Sequence, residues 1–440
     1  MTWYNEAIFY HIYPLGALGA PKINDHILTH RLKDMDAWLF HISDLGIDAL
    51  YIGPLFESET HGYDTIDYGL IDSRLGDVDD MKMMVNKAHE LGIKVVVDGV
   101  FNHVGRSFFA FKDVLEKREA SDYKDWFYID FSHGEPFTYA TWQGYDALVK
   151  LALDNVVVQD YLLDKVGYWI DEFDIDGIRL DCADCLDFDF LRRLRYLTDH
   201  KKDDFWLMGE LIHGDYSRFI KNDLIMSSTN YELHKGLYSA YNDHNLFEIA
   251  HTIKRQFDPN YGLYKGMYLY DFVDNHDVDR LASKVNDKRD IAAIYVLLFT
   301  LIGIPSIYYG SEYALEGKRD AYSDDILRPY IDIAKMSDNE TTELIKRLAS
   351  IKKEHKALSY GTYKEVYLTN RAYAYLRTLD DDTLLIVTSC EDDTTYLHIH
   401  LDDTYHEARS LLNDDIPKLD QSEIEVMIAP HSATIIKLSR

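Results

Sequence analysis

Three carboxylates stand at the ends of predicted strands, where an acid–base or nucleophilic site could form. Asp181 follows the run GIRL, Glu210 follows WLMG, and Asp277 ends the run FVDNHD. If these strands are parallel neighbours, their carboxyl ends meet at one face and the three side chains converge there. Clustered carboxylates raise one another's pKa, which is unfavourable unless a site uses them. A single Asp could instead cap a helix, but three together predict catalysis.

The neighbours of two of these carboxylates predict different protonation states. Arg179 lies two residues before Asp181, so the strand period places both on one face. A guanidinium there favours the ionised Asp181 that a nucleophile requires. Glu210 has Leu207 and Met208 beside it, and an apolar setting keeps a carboxyl protonated as a general acid. An ionised carboxylate beside a protonated one is the arrangement of a retaining glycosidase.

Eight apolar runs with strand character alternate with helical patterns and could position these groups. They cover residues 8–15, 47–55, 93–101, 175–181, 205–211, 224–230, 265–277 and 306–312. Nearly continuous apolar strands that alternate with helices indicate a parallel sheet buried on both faces. Eight such units predict an α/β fold, a (β/α)8 TIM barrel. No G-x-G-x-x-G run follows a strand to favour a dinucleotide-binding sheet.

Two segments depart from the barrel pattern and predict further domains. Residues 104–150 are aromatic-rich and charged with no clean helix period, so we expect a small inserted subdomain, domain B, on the barrel rim after strand 3. Short alternating strands over residues 359–440 predict a C-terminal antiparallel β-domain, domain C. The catalytic barrel, domain A, then comprises residues 1–103 and 151–358.

Composition excludes several classes of partner. Lys plus Arg number 46 and Asp plus Glu number 76, a net charge of −30, which disfavours nucleic acid and anionic membrane surfaces. The apolar run 291–309 contains Gly303 and Pro305, so we expect a helix over 291–301 and a strand over 306–309 rather than a membrane span. The start MTWYNEAIFY has no signal-peptide pattern. We therefore expect a cytoplasmic protein that is a monomer or a weak oligomer.

Four motifs resemble a known family. DGVFNH, GIRLDCAD, MGEL and FVDNHD, in this order and spacing, resemble the signature regions of the alpha-amylase family, glycoside hydrolase family 13. HGYDTIDYGLID and GIPSIYYGSE resemble further family segments, and LALDN at 151–155 resembles the segment found in cyclomaltodextrinases, neopullulanases and maltogenic amylases. The resemblance covers most of residues 8–330. It implies hydrolysis of α-1,4-glucosidic bonds in soluble maltooligosaccharides through a β-glycosyl-enzyme.

The resemblance also implies a role for each matching residue. Asp181 would be the nucleophile, Glu210 the acid/base, and Asp277 the carboxylate that binds hydroxyls of the −1 sugar in the transition state. The implied substrate-binding residues are Tyr63, stacked on the −1 ring, Arg179, which positions Asp181, His103 and His276 on sugar hydroxyls, and Asp324 with Arg328 at the −2 sugar. An ordinary i,i+4 ion pair remains the alternative for Asp324 and Arg328.

The chain departs from the family pattern in ways that bear on metals. Asp184 and Cys185 stand where many α-amylases have Lys-His, and the loop GALGAPKIND lacks the Asp/Asn ladder of a calcium loop. Calcium is possible in this family, but the sequence does not support it, so we expect no cofactor and no metal. Cys182 and Cys185 have zinc-like spacing, but no second ligand pair accompanies them, which favours free thiols.

Other hypotheses share the motifs. A 4-α-glucanotransferase would use the same triad with a sugar acceptor in place of water, and a relative active on α-1,6 bonds or cyclodextrins would too. A non-catalytic amylase-like binding protein could lose a carboxylate, whereas all three are present here. The rim aromatics could form a glucan-stacking surface or, as we favour, the core of the subdomain: Tyr123, Trp126, Tyr128, Phe137, Tyr139, Trp142 and Tyr145.

Overall fold

A computed structural model describes residues 2–132, 136–321, 323–413 and 416–440. Eight parallel strands form its central sheet: β1 (Phe9–Ile12), β2 (Ala49–Ile52), β3 (Lys94–Gly99), β4 (Gly177–Leu180), β5 (Trp206–Gly209), β6 (Ser227–Ser228), β7 (Tyr270–Phe272) and β8 (Ile304–Tyr308). Their order is β6-β5-β4-β3-β2-β1-β8-β7. A parallel bridge between Thr229 and Tyr270 brings β6 beside β7 and closes the sheet. The predicted TIM barrel is confirmed.

Helices surround the barrel and alternate with its strands. The longer ones are α1 (Met35–Asp44), α2 (Val78–Glu90), α3 (Val156–Phe173), α4 (Phe188–Lys201), α5 (Tyr231–Asn242), α6 (Phe247–Phe257), α7 (Asp290–Thr300) and α8 (Glu340–Glu354). Short helices cover Trp3–Glu6, Pro14–Ala17, Leu281–Lys284 and Ala357–Tyr360. Side-chain caps define several starts, because an N-cap oxygen satisfies a free backbone N–H. Asn155 of the LALDN segment caps α3 in this way.

The long apolar run divides into a helix and a strand. Helix α7 is followed by β8, which begins at Ile304 and includes Pro305, earlier than predicted. Pairing of β8 with β1 starts at Ser306, so the missing N–H of Pro305 interrupts no bond on that side. Across the described residues, none of the helices is long and apolar enough to cross a membrane.

Strand alternation and register bring polar side chains to the barrel mouth. Val96, Trp206 and Phe272 fill the barrel interior, while the alternate residues Val97 and Ile178 pack outward against the helices. Arg179 of β4 pairs in register with Asp98 of β3 and with Met208 of β5. The inward positions one layer higher are the strand ends, so the next inward residues after Arg179 and Met208 are Asp181 and Glu210.

The segment between β3 and α3 contains a small sheet and a helix. His103–Gly105 pairs with Tyr145–Lys150, which pairs with Thr141–Trp142. The expectation of no clean helix was wrong for Phe109–Lys117, a helix whose buried face includes Phe111 and Val114. Ile129–Asp130 and Thr138–Tyr139 pair as a separate two-stranded antiparallel sheet. The boundaries 104–150 for domain B stay a prediction, and the described part of that segment is 104–132 and 136–150.

The C-terminal strands form two antiparallel sheets. They are β9 (Thr362–Leu368), β10 (Ala372–Leu379), β11 (Asp382–Ser389), β12 (Thr395–His400), β13 (Glu407–Ser410), β14 (Lys418–Asp420), β15 (Glu423–Ile428) and β16 (Ser432–Ser439). The orders are β9-β10-β11-β16-β13 and β12-β15-β14. Leu385, Val426 and Ile436 lie in a core between the sheets, whereas Tyr375 and Ile386 pack with the barrel. The predicted C-terminal β-domain is confirmed as an element of the fold.

A buried guanidinium fastens the loop that follows β1. Arg74 is 1% exposed, and its Nη1 donates to the carbonyl oxygens of Pro21, Lys22 and Thr60 at 2.9, 3.0 and 2.6 Å. Its Nε and Nη2 bind Asp72 at 2.8 and 2.7 Å. The guanidinium supplies positive charge where several carbonyl oxygens converge.

We predict that Trp126→Ala destabilises the protein by about 3–5 kcal/mol, the usual effect of removing a buried Trp side chain. Trp126 is 8% exposed, and its ring centroid lies 5.2 Å from the rings of both Tyr123 and Tyr161, the latter on α3. The measurement is the midpoint of thermal and urea unfolding. Tyr145→Ala is the control, because Tyr145 is 59% exposed. Equal loss in both variants would contradict the core assignment.

Candidate active site

The guanidinium of Arg179 lies at the centre of the barrel mouth. Its Nη1 contacts Asp98 at 2.8 Å and Asp181 at 2.9 Å, and its Nη2 contacts Glu210 at 2.8 Å. Arg179 is 2% exposed. Burial of a cation is unfavourable unless anions surround it. Burial acts to lower the pKa of Arg179, but Asp98 and Glu210 outweigh it and raise that pKa well above the ordinary value. Two of the three predicted carboxylates are thus brought to one cation.

Asp98 belongs to the support of this cation. Its Oδ1 binds Arg179, while its Oδ2 accepts bonds from the hydroxyls of Tyr51 at 2.9 Å and Tyr63 at 3.1 Å. Burial is the main cause that raises the pKa of Asp98. The residue is 1% exposed, and both of its carboxylate oxygens are bound by protein partners, so its part in the site is structural.

Glu210 and Asp181 experience different surroundings although they share Arg179. Burial raises the pKa of Glu210 to about 8; Arg179 opposes the rise, and the carboxylates of Asp181 and Asp277 add to it. The hydroxyl of Tyr231 lies 3.4 Å from Glu210 Oε1. At neutral pH the Glu210 carboxyl therefore holds a proton, whereas Asp181 receives a short bond from the guanidinium.

Residue 182 contacts both of these carboxyl groups. The backbone N–H of Cys182 donates to Glu210 Oε2 at 3.2 Å, and its Sγ lies 3.0 Å from Asp181 Oδ2. The backbone of Cys182 is left-handed, with φ 43° and ψ 49°, a conformation that is uncommon for a residue with a Cβ. Burial raises the pKa of the Cys182 thiol strongly, so it remains a neutral donor.

The third carboxylate is held on the other side of the mouth. Asp277 Oδ1 binds Arg328 Nη2 at 2.8 Å, and Asp277 Oδ2 lies 3.0 Å from His276 Nε2. Burial acts to raise the pKa of Asp277, but His276, Arg328 and Arg179 outweigh it and hold that pKa well below the ordinary value. The hydroxyl of Tyr63 lies 2.6 Å from His276 Nε2 and joins this group to Asp98.

Asp324 and Arg328 do not form an α-helical pair. They flank the 3-10 turn Asp325–Leu327, and their contact is long, 3.4 Å. Arg328 instead donates to the carbonyl of His276 at 3.0 Å as well as binding Asp277. Arg319 is a closer partner of Asp324, at 2.5 Å. Arg328 therefore contacts Asp277, one of the three predicted carboxylates, whereas Asp324 contacts Arg328 and Arg319.

Two histidines present unpartnered nitrogens. Among the described residues, His103 Nε2 and His276 Nδ1 are buried and have no hydrogen-bond partner, and buried polar atoms normally have one. His103 Nδ1 lies 3.2 Å from Asn102 Nδ2, so only its other nitrogen is available. The ring of Trp142 lies 5.7 Å from that of His103. Free imidazole nitrogens at the mouth suit ligand hydroxyl groups.

Some residues of the site were not found by sequence reasoning. Tyr51 was missed, although its inward position on β2 follows from strand alternation. Tyr231 starts α5 and has no local pattern that marks it. Asn275, which donates to the Tyr231 hydroxyl at 3.1 Å, lay within the FVDNHD motif. Contacts between separate strands are required to identify these three.

The rim aromatics divide into two groups. Trp126 and Phe137 are 8% and 7% exposed and belong to the core. Trp142 and Tyr145 instead stack on each other, with ring centroids 5.8 Å apart and planes inclined by 23°. Tyr145 is 59% exposed. The favoured core interpretation therefore fits the first pair, and the second forms an accessible aromatic surface near His103.

Comparison with known proteins agrees with this geometry. The model of the alpha-amylase catalytic domain matches residues 32–357. A cyclomaltodextrinase from a Bacillus species is 34% identical over 417 residues, 88% of this chain and 73% of that protein. Neopullulanase 2 from Thermoactinomyces vulgaris is 32% identical, over 88% of this chain and 69% of the relative. A solved cyclomaltodextrinase structure has a TM-score of 0.88 at 29% identity, covering 99% of this chain and 78% of that one.

The matched span contains β2 to β8 and every candidate site residue from Tyr63 to Arg328. The resemblance seen in the four motifs is thereby confirmed over the part of the chain that builds the barrel mouth. The chain belongs to the alpha-amylase family and is a glycoside hydrolase.

Proposed function

We propose that this protein hydrolyses α-1,4-glucosidic bonds of soluble maltooligosaccharides with retention of anomeric configuration. The observation that supports the proposal is that Asp181 and Glu210 both contact Arg179, while burial holds a proton on Glu210. Retaining glycosidases need one carboxylate as nucleophile and one protonated carboxyl as acid. The site can therefore supply a carboxylate nucleophile and a protonated carboxyl acid at the same pH.

The first step forms a covalent intermediate. Glu210 gives its proton to the glycosidic oxygen as the bond from that oxygen to C1 breaks, and a carboxylate oxygen of Asp181 bonds to C1. In the second step the ionised Glu210 takes a proton from water, whose oxygen attacks C1 and releases Asp181. Each displacement inverts the configuration at C1, so after two displacements the product retains the α configuration.

The other site residues bind the sugar. Arg328 and His276 hold Asp277 ionised, so its oxygens can accept bonds from sugar hydroxyls. The ring nitrogens of His103 and His276 that have no partner among the described residues suit further hydroxyls, and the partly exposed ring of Tyr63 suits the apolar face of a sugar. Hydrogen bonds that strengthen as the sugar ring flattens in the transition state lower the activation barrier and raise kcat, rather than only lowering the KM.

The preferred substrates are short linear or cyclic dextrins. The relatives at 34% and 32% identity are a cyclomaltodextrinase and a neopullulanase, and this chain has the LALDN segment that resembles such enzymes. The same intermediate would serve a 4-α-glucanotransferase if a sugar hydroxyl replaced water. Product analysis at high substrate concentration separates hydrolysis from transfer.

Calcium is not part of this proposal. A calcium ion requires several free oxygen ligands, but the carbonyl oxygens of Pro21, Lys22 and Thr60 accept bonds from Arg74. We infer that Arg74 supplies positive charge to the carbonyl oxygens of Pro21 and Lys22, in the loop after β1, and of Thr60, and leaves these oxygens unavailable to a calcium ion.

The mechanism predicts that Asp181→Ala and Glu210→Gln each lower kcat by several orders of magnitude, because neither role is shared. In the wild type, NMR of early product must show the α-anomer. Asp184→Asn is the matched control, since Asp184 is exposed and three residues further along; its kcat should stay near the wild-type value. Near-normal turnover by Asp181→Ala, or a β-anomer as first product, would refute the mechanism.

Activity should fall on the alkaline side of about pH 8. The acid form of Glu210 is needed for the first step, its pKa is raised to about 8, and above that value the protonated fraction falls about tenfold per pH unit. The measurement is kcat/KM against pH. In Glu210→Gln assayed with α-glucosyl fluoride, whose departure needs no acid, the alkaline limb should disappear. If the limb persists, another group causes it.

Short dextrins should be better substrates than granular starch. We expect kcat/KM on maltotriose to maltohexaose, or on cyclodextrins, to exceed that on starch by at least about tenfold, roughly 1.4 kcal/mol of transition-state binding. Trp142→Ala should raise the KM for maltohexaose more than that for maltotriose, because the Trp142–Tyr145 stack is accessible beside the mouth. A kcat/KM on granular starch equal to that on maltohexaose would contradict the preference for short dextrins.

Removal of calcium should have no effect. We expect EDTA to leave both the thermal midpoint and the activity unchanged, whereas Arg74→Met should destabilise the protein by about 3 kcal/mol or more, since it leaves buried Asp72 uncompensated. A midpoint that falls in EDTA and recovers with added calcium would show that Arg74 does not replace the ion.

A further inference from the structure

Three possible metal ligands converge beside the proposed nucleophile. One ring nitrogen of His103, one carboxylate oxygen of Asp181 and the Sγ of Cys182 all lie within 4.8 Å of one another. The three residues are 2%, 6% and 9% exposed. Thiolate sulfur, imidazole nitrogen and carboxylate oxygen are the three ligand types that zinc uses in proteins.

The histidine of this group has a free position. His103 Nδ1 is taken by Asn102 at 3.2 Å, while within the described part of the chain its Nε2 has no partner although it is buried. A metal-binding histidine donates its other ring N–H to a neighbour. Asn102 Oδ1, which has no partner among the described residues, would accept the N–H of His103 Nδ1 once the Asn102 amide is turned over, and Nε2 would then offer its lone pair to the metal.

The thiol is held in place by an unusual backbone. Cys182 adopts the left-handed region, with φ 43°, which is unfavourable by about 1 kcal/mol or more for a residue with a Cβ. The bond from its N–H to Glu210 Oε2 at 3.2 Å accompanies this conformation, and its Sγ lies 3.0 Å from Asp181 Oδ2. The sulfur is therefore oriented before any ligand arrives.

Charge at the barrel mouth favours a cation. Even with a proton on Glu210, the carboxylates of Asp98 and Asp181 share the one guanidinium of Arg179. A second described group, formed by His30, Asp77 and Asp80, lacks such a setting: His30 is exposed, and Asp77 with Asp80 already forms the capping box of α2. The group at the mouth is thus the better candidate.

We propose that His103, Asp181 and Cys182 form an inhibitory site for Zn²⁺ or a similar thiophilic divalent cation. On binding, the Cys182 thiol releases its proton to solvent as the metal–sulfur bond forms, and the thiolate and the Asp181 carboxylate together balance the two positive charges. Three protein ligands leave a fourth position for water. A metal on Asp181 occupies the oxygen that would attack C1, so cation and sugar exclude each other. The inhibitory part rests on the proposed function, whereas binding of the metal does not.

The binding test is calorimetric titration of ZnCl₂ into the metal-free full-length protein. We expect one zinc per chain, and at least about tenfold weaker binding in Cys182→Ser and in His103→Ala, since even outer partners of a metal site contribute about 10–100-fold to affinity. Cys185→Ala is the matched control, because Cys185 is exposed and lies outside the group; its zinc affinity should equal that of the wild type. Wild-type affinity in Cys182→Ser would overturn the site.

A spectroscopic test keeps the proposal falsifiable if Cys182→Ser folds poorly. Cd²⁺ added to the wild type should give the ultraviolet charge-transfer absorption of a cadmium–thiolate bond, and acarbose, a sugar-like inhibitor, should abolish it. The absorption should persist in Cys185→Ala. Absence of the band in the wild type would overturn the metal site, and a band unaffected by acarbose although acarbose inhibits the enzyme would overturn its overlap with the sugar site.

Kinetics separates the two proposals. Zinc should raise the apparent KM for maltotriose without changing kcat, and Cys182→Ser should require at least about tenfold more zinc for the same effect. Zinc that binds by calorimetry without inhibiting would overturn the inhibitory role. Loss of the proposed hydrolase activity would leave the calorimetric and cadmium results unaffected, so failure of the proposed function is distinguishable from failure of the metal site.

Discussion

The buried guanidinium of Arg179 contacts three carboxylates, and the barrel mouth is organised around those contacts. One positive charge cannot balance three negative charges away from water, so the cluster is most stable with a proton on one carboxyl group. Glu210 holds that proton, with a pKa of about 8, while Asp181 and Asp98 share the other terminal nitrogen of the guanidinium. Burial, together with the presence of one guanidinium for three carboxyl groups, therefore leaves Glu210 protonated as the proposed acid and Asp181 as the proposed nucleophile.

The barrel brings these carboxyl groups together around one buried cation. Asp98 and Arg179 lie level with each other on the adjacent strands β3 and β4, and Glu210, which directly follows β5, lies one inward layer higher. Aromatic and aliphatic side chains such as Trp206 and Phe272 fill the interior below and exclude water from it. A second set of contacts, centred on Arg328, holds Asp277 on the opposite side, where its pKa is lowered instead of raised. Burial thus dominates at Glu210, whereas His276, Arg328 and Arg179 outweigh burial at Asp277, so carboxyl groups of the same site have pKa values shifted in opposite directions.

Residue 182 connects the two proposed catalytic carboxyl groups through atoms of one amino acid. Its N–H reaches Glu210 and its thiol reaches Asp181 because the backbone is left-handed at this point. The same geometry that steadies the carboxylates places a sulfur ligand beside a free imidazole nitrogen. A sugar site and a site for a thiophilic cation would then consist partly of the same atoms, and occupancy of one would prevent occupancy of the other.

The sequence by itself determined the eight-strand barrel, the C-terminal β-domain and the family, because strand periodicity and four ordered motifs are local properties of the chain. It also predicted that Asp181, Glu210 and Arg179 lie close together, since the strand ends of parallel neighbours must meet. It could not show that Tyr51 and Tyr231 join the site, that Trp126 is core while Trp142 is accessible, or that Arg74 takes the carbonyl oxygens of the loop after β1. Those features depend on distances between segments far apart in the chain. Burial, which sets the pKa of Glu210 and leaves His103 Nε2 without a partner among the described residues, likewise exists only after the strands have closed.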